Sequence, residues 1–273
     1  MAASYELKDI LLRIDDVCLS YGDTPVLSHL SAEVRDIVRP GSVTGQVVGI
    51  LGPSGVGKTQ LSRILTGLHE PTSGRVTVGA AAEPIRAGLV GFVAQTFPLF
   101  RHRTVLSNLT FAMESNGVRA KEAEERAMAQ LRAFSMEDKW QAYPAELSGG
   151  QRQRVAIAQQ LVCSDHYVIM DEPTTGLDPI MKDRTCQLIR QVASMSEENT
   201  VLVVTHDIPA ILTVADHLWL LGRVRDEKGV SLGARIVETY DLIERGLAWQ
   251  ERPQDLPAYA DMLREVRARF ETL

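Results

Sequence analysis

The chain has 273 residues, 45% of them hydrophobic, which is enough apolar material for one large domain with a sizeable core. A formal net charge of -6 excludes the broad basic footprint that nucleic-acid binding requires, so no nucleic-acid partner is expected. Cys18, Cys163 and Cys186 are an odd number, widely spaced and without the pairing of a zinc site, and they read as reduced packing residues.

The first residues, Glu6, Lys8 and Asp9 among them, lack the basic-then-apolar layout of a secretory signal, so export is not expected. Val17, Leu19 and Tyr21 alternate with Cys18 and Ser20 as in a strand, Gly22-Asp23 reads as a turn, and residues 26–34 as a second extended stretch. The link over residues 35–46, with Pro40, Gly41 and Gly45, is long for a connection between strands. Val47, Val48, Ile50 and Leu51 form a compact apolar run suited to a strand buried on both faces. A glycine-rich turn follows, then Leu61, Ile64, Leu65 and Leu68 at helical spacing.

Residues 104–164 are polar and helical in character, with strong helix formers over 121–131, and look partly separate from the rest. Residues 167–170 and 201–204 are two more buried-strand candidates, separated by a helix around 181–192. Residues 223–230 read as a charged turn, and 257–270 as a closing amphipathic helix. Alternating strands and helices predict an α/β fold with a mainly parallel sheet and helices on its faces. Apolar runs such as 201–204 and 217–221 fall far short of the ~20 residues that cross a bilayer.

Gly52-Pro53-Ser54-Gly55-Val56-Gly57-Lys58-Thr59 fits the spacing Gly, any four, Gly-Lys-Thr/Ser between an apolar strand and a helix. Its glycines let backbone N–H groups converge on phosphate oxygens, and the helix adds its positive end. Lys58 is suited to the β- and γ-phosphates and Thr59 to Mg²⁺. Asp171 and Glu172 follow the strand 167–170, and parallel strands of open α/β sheets gather ligands at their carboxyl ends. There Asp171 suits Mg²⁺, and Glu172 suits a general base that deprotonates an attacking water.

Leu147-Ser148-Gly149-Gly150-Gln151, running on into Arg152-Gln153-Arg154-Val155-Ala156, resembles the signature of ABC (ATP-binding-cassette) ATPases. Ser148 can cap a helix whose first turn offers N–H groups to an anion. Matches continue in the family's order over residues 17–206. The resemblance implies a phosphate-loop NTPase core with an N-terminal antiparallel β subdomain and an inserted helical subdomain at about 100–165. The ATPase domain would span 1–245 and a C-terminal helical tail 246–273.

It further implies that Tyr21 stacks on adenine, and that Gly52, Pro53, Ser54, Gly55, Val56, Gly57, Lys58, Thr59 and Gln60 hold the phosphates. Gln95 would reach Mg²⁺ and the attacking water with Thr59 and Asp171, and His206 would contact the γ-phosphate beside Glu172. Asp178, in Gly176-Leu177-Asp178, would couple two sites across a dimer, although it equally suits a helix cap. Residues 147–151 would close on ATP held by a second ABC ATPase subunit, identical or related. Transmembrane permease subunits are the implied partners, with a substrate-binding protein as a further candidate, and the location is the cytoplasmic face of the membrane.

Phe97-Pro98-Leu99-Phe100 and Thr104-Val105-Leu106-Ser107-Asn108 resemble the stretch after the glutamine loop of bacterial importers, especially polar amino-acid uptake ATPases. Lipid or drug export and a soluble non-transport ABC ATPase are the alternatives. Soluble kinds usually carry two cassettes or a long coiled coil, and this chain shows one cassette and no sustained heptads. A cassette that binds without hydrolysing is disfavoured by the presence of both Glu172 and His206. Two positions depart from the family pattern. Gln60 stands where a second Ser or Thr is usual, and Gln159-Gln160 replaces the usual Arg-Ala.

Overall fold

The computed structural model describes residues 5–39, 45–164 and 166–273. In chain order these form β1 (Glu6–Tyr21), β2 (Thr24–Val38), β3 (Gln46–Leu51), α1 (Lys58–Leu65), β4 (Ser73–Val78), β5 (Glu83–Pro84), β6 (Gly91–Val93), α2 (Val105–Ser115), α3 (Ala120–Ala133) and α4 (Gly149–Leu161). There follow β7 (Tyr167–Asp171), α5 (Pro179–Ala193), β8 (Thr200–Thr205), α6 (Ile208–Val214), β9 (His217–Arg225), β10 (Ser231–Asp241) and α7 (Pro257–Phe270). The strands make a ten-stranded sheet in the order β5-β4-β1-β2-β10-β9-β3-β8-β7-β6.

One half, β9-β3-β8-β7-β6, is parallel, and the β5-β4-β1-β2 end is antiparallel, as the expected fold class requires. Strand alternation explains why the runs 47–51, 201–204 and 218–221 of β3, β8 and β9 are apolar throughout. Val47 and Leu51 of β3 join one core with α2 to α7, whereas Val48 and Ile50 join a second core with α1 and the antiparallel strands. The same division separates Val201 and Val203 from Leu202 and Val204 on β8, and Leu218 and Leu220 from Trp219 and Leu221 on β9. A sheet covered on both faces has no position where a polar side chain meets water.

Leu109, Met113, Ala127 and Leu131 of α2 and α3 pack into the same core as Val47, as do Met262 and Val266 of α7. The closing helix is pinned further by the Tyr259 hydroxyl, which donates to the Pro209 carbonyl at 3.0 Å.

The fold differs from the sequence expectations in three places. Helix α1 stops at Leu65 because Gly67 turns left-handed (φ 69) and the N–H groups of Leu68 and His69 fold back onto the Arg63 carbonyl, so Leu68 is exposed rather than part of the apolar face. The charged stretch 223–230 is a turn only from Asp226, whose carboxylate accepts the amides of Lys228 and Val230; Arg223 to Arg225 continue β9 as one arm of a hairpin with β10. The long link after β2 is partly strand, since β2 runs to Val38 and Gln46 Nε2 donates to the Arg35 carbonyl at 2.9 Å. Pro40 and Gly41 lie outside the described residues.

Candidate functional site

The register of the parallel strands gathers the site. Leu51 pairs with Thr205, Asp171 with Val204 and Val93 with Met170, so the chain leaves β3, β7, β8 and β6 along one edge at Gly52, Glu172, His206 and, two residues past Val93, Gln95. Backbone bonds seal that edge: Gly52 N–H donates to Thr205 O at 3.2 Å and Glu172 N–H to Val204 O at 2.7 Å.

The loop 52–57 curls above β3 with Gly55 and Gly57 at φ 76 and 120, conformations that a β-carbon would strain. At Gly57 a Cβ would also come within 3.1 Å of Leu27 and 3.3 Å of Val26, so the loop rests closely against β2. Lys58, the first residue of α1, is buried. Its ammonium donates to the carbonyls of Gly52 at 2.8 Å and Pro53 at 3.1 Å and lies 3.5 Å from Glu172 Oε1. A cation is thereby fixed at the mouth of a helix N-terminus, the arrangement that attracts phosphate.

The two acids have different surroundings. Asp171 is held above the ordinary carboxylate value by burial and by the neighbouring Glu172 charge, against the opposing hydrogen bond from Thr59. Thr59 Oγ1 donates to Asp171 Oδ2 at 3.2 Å, while Asp171 Oδ1 is buried without a hydrogen-bond partner. A buried, unpartnered carboxylate oxygen beside a hydroxyl is a fitting donor set for a hard cation such as Mg²⁺, which commonly takes one or two carboxylates and completes its shell with phosphate oxygens and water. Among the described residues no group of three or more His, Cys, Asp or Glu side chains could hold a metal.

Burial would raise Glu172 too, but hydrogen bonds from His206 and Thr175 and the nearby Lys58 outweigh it and leave the carboxyl below its ordinary value. Oε1 meets His206 Nδ1 at 2.8 Å, and Oε2 accepts the hydroxyls of Thr175 at 2.8 Å and Thr205 at 3.1 Å. Because an ionised carboxylate only accepts, His206 donates through Nδ1, which directs its other ring nitrogen away from Glu172. Glu172 also has φ 50 immediately before Pro173, a strained backbone for a residue with a side chain.

The remaining expected residues are distributed unevenly. Tyr21 and Gln60 line a pocket of about 400 Å³ together with Gly55, Lys58, Glu172 and Arg223. Gln95 is exposed in the turn after β6. Ser148 caps α4: its hydroxyl accepts from Gln151 N–H at 3.3 Å while the Gln151 side chain accepts from Ser148 N–H at 2.9 Å. Ser148, Gly149, Gly150 and Gln151 face a separate cleft, of about 1060 Å³, shared with Phe134 and Met181 and with none of the phosphate-loop residues. Within one chain, therefore, the signature residues and the phosphate loop line different cavities. Asp178 is exposed and caps α5, accepting from Met181 N–H at 3.0 Å.

Both departures from the family pattern have structural partners. Gln159 Nε2 donates to the Asn108 carbonyl at 3.0 Å, tying α4 to α2, and Gln160 Oε1 accepts Phe92 N–H at 3.0 Å, tying α4 to β6. The Tyr21 hydroxyl donates to Gln60 Oε1 at 3.0 Å. Thr175, Thr205 and Arg223 had no place in the sequence-derived site. The first two could have been suspected from their closeness in the chain to Glu172 and His206. Arg223, which donates to the Gly55 carbonyl at 2.7 Å, carries no local signal because β9 alone brings it to the loop.

A glycine loop cradling a buried lysine, with two acids and a histidine on the same edge of a parallel sheet, defines a nucleotide-binding α/β protein of the phosphate-loop class. Residues 42–175 match the family model described as ABC transporter. The probable ABC transporter ATP-binding protein PEB1C of Campylobacter jejuni is 36% identical over 215 residues, 76% of this chain and 85% of that protein. This chain belongs to the ABC transporter ATP-binding family.

It is also similar to the Fe(3+) ions import ATP-binding protein FbpC 1 of Rhizobium meliloti, at 37% identity over 209 residues, covering 76% of this chain and 57% of that protein. The sulfate/thiosulfate import ATP-binding protein CysA 2 of the same organism is 32% identical over 219 residues, 78% of this chain and 57% of that protein. The match thus spans less than three fifths of the length of these two relatives, 57% of each. In fold the chain resembles cbiO1 from Clostridium perfringens, part of the ABC transporter complex cbiONQ, with a TM-score of 0.71, 24% identity and 97% of both chains covered.

Proposed function

We propose that this chain binds and hydrolyses ATP with Mg²⁺ as the engine of an importer, pairing with a second cassette and working on separate permease subunits at the cytoplasmic face of a membrane. The observation that supports it most is the convergence of Lys58, Thr59, Asp171, Glu172 and His206 on one sheet edge. Thr59 and Asp171, with Gln95 at the neighbouring strand end, are the residues that would hold magnesium, which would supply neutralisation of phosphate charge and polarisation of the terminal phosphoryl group. Lys58 binds the β- and γ-phosphates, and the amides of 52–60 surround them. Glu172, kept ionised by its hydrogen bonds, accepts the proton of a water that Gln95 and His206 help to orient. Tyr21 stacks on the adenine.

Ser148 to Gln151 face a cleft of their own, with Leu147 buried in the core behind them, so we assign residues 147–151 to ATP held by the opposite subunit, with Asp178 coupling the two sites. Among the described residues no helix is long and apolar enough to cross a membrane, which is consistent with permease subunits supplying that part. Phe100 packs edge-on against Phe111 at 5.2 Å with Arg103 over the Phe111 ring at 4.1 Å, an apolar surface beside residues 97–99 that suits a helix of such a subunit. The names of two relatives, which speak of import of iron(III) and of sulfate or thiosulfate, support import rather than export. For this chain we propose a small polar solute, an amino acid being the kind that residues 97–108 favour. Tagged chain purified from solubilised membranes should bring down a permease and release phosphate from ATP; recovery without any membrane protein, or without hydrolysis, would refute the respective half of this reading.

A further inference from the structure

Gln60 lies one residue past the Lys58-Thr59 pair and lines the pocket that Tyr21 shares with the phosphate loop. Its side-chain Oε1 accepts the hydroxyl of Tyr21 at 3.0 Å. Tyr21 ends β1, its backbone pinned opposite Thr24 across the turn at Gly22. Tyr21 is 50% exposed and lines the pocket, with the His69 ring 6.0 Å away. A half-exposed aromatic ring samples several rotamers, and a base stacking on it must first freeze one of them. The bond to Gln60 supplies that ordering in advance.

We infer that Gln60 is a positioning residue for the purine, splinting Tyr21 so that the ring already stands in its stacking orientation, and that its contribution passes through the base and not through the phosphates. The inference rests on the proposed ATP site. Because Gln60 acts as the acceptor, removing either partner has the same consequence: the ring is released, and the two losses are one loss.

Four proteins test it: wild type, Gln60→Met, which keeps the length of the side chain and removes the acceptor, Tyr21→Phe, which keeps the ring and removes the donor, and the double variant. Equilibrium binding is measured for ATP and for inorganic tripolyphosphate, which has the phosphates and no base. Each single variant should lower the ratio of ATP to tripolyphosphate affinity by about 3- to 10-fold, the range of one hydrogen bond. The double variant should lower it no further. Losses that multiply in the double variant, an equal loss for tripolyphosphate, or no change would overturn the inference. A wild-type chain that binds ATP no better than tripolyphosphate overturns it as well, since no base is then stacked. Binding of neither ligand refutes the nucleotide site itself, which separates that failure from this one.

Discussion

Replacing Glu172 by glutamine removes the charge of the proposed base and little else. In the structure Oε1 faces His206 and Lys58 at 2.8 and 3.5 Å, and Oε2 accepts from Thr175 and Thr205 at 2.8 and 3.1 Å. Glutamine can keep its oxygen toward His206 and Lys58 and turn its amide to the threonines, whose hydroxyls rotate from donating to accepting. Weakening two or three charge-assisted bonds costs about 1 kcal/mol each, and relief from burying a carboxylate offsets part of that. Net stability should therefore change by no more than about 2 kcal/mol. The rate should change far more, because a general base supplies roughly 100- to 10,000-fold, or about 3 to 5 kcal/mol of barrier.

Phosphate release at saturating Mg-ATP, with ATP binding and a thermal melt measured on the same preparation, separates these effects. The expected result is retained binding, a melt shifted by a few degrees at most, and turnover at least 100-fold slower. Turnover within tenfold of wild type, with ATP bound, would remove Glu172 from the role of base.

Two further outcomes follow from the same geometry. Asp171→Asn keeps an acceptor for Thr59 but weakens the oxygen proposed for Mg²⁺, so half-maximal hydrolysis should need on the order of 10-fold more magnesium; an unchanged magnesium requirement would place the metal elsewhere. Asp216 is buried immediately before β9 with its carboxylate accepting Val47 N–H at 2.7 Å; burial pushes it up to about 7, against the Val47 hydrogen bond and with the Asp241 charge adding to the rise. Its folded value exceeds the ordinary 3.8, so its contribution to stability is complete below that pH and lost as the pH rises through about 7. At ~1.36 kcal/mol per tenfold the loss is at most about 4 kcal/mol. Asp216→Asn, which retains an acceptor for Val47, should flatten the decline between pH 4 and 7 in urea titrations, and an identical slope in both proteins would count against a buried, proton-binding Asp216.

The sequence alone was enough for features written among chain neighbours. Residues 47–51, 167–170 and 201–204 announce themselves as strands because burial on both faces leaves no polar position. The loop 52–59 is legible because a phosphate-binding helix N-terminus needs glycine, lysine and hydroxyl at fixed local spacing, and the segment 147–151 because a Ser cap followed by two glycines marks a helix start within a few residues. By contrast β10, whose burial follows no regular alternation along its hairpin, and the three-residue β6 carry too little pattern to be read that way.

Tertiary structure alone decided which distant residues meet. Pairing Leu51 with Thr205 and Asp171 with Val204 places Lys58, Glu172 and His206 at one sheet edge, and nothing near any of them in the chain fixes that register. The Tyr21 bond to Gln60 and the Arg223 bond to Gly55 arise in the same way, from strands brought alongside the loop. Register is set by which faces of the sheet are covered, a property of the whole packed molecule, so local spacing could propose the chemistry of each residue but not the company it keeps.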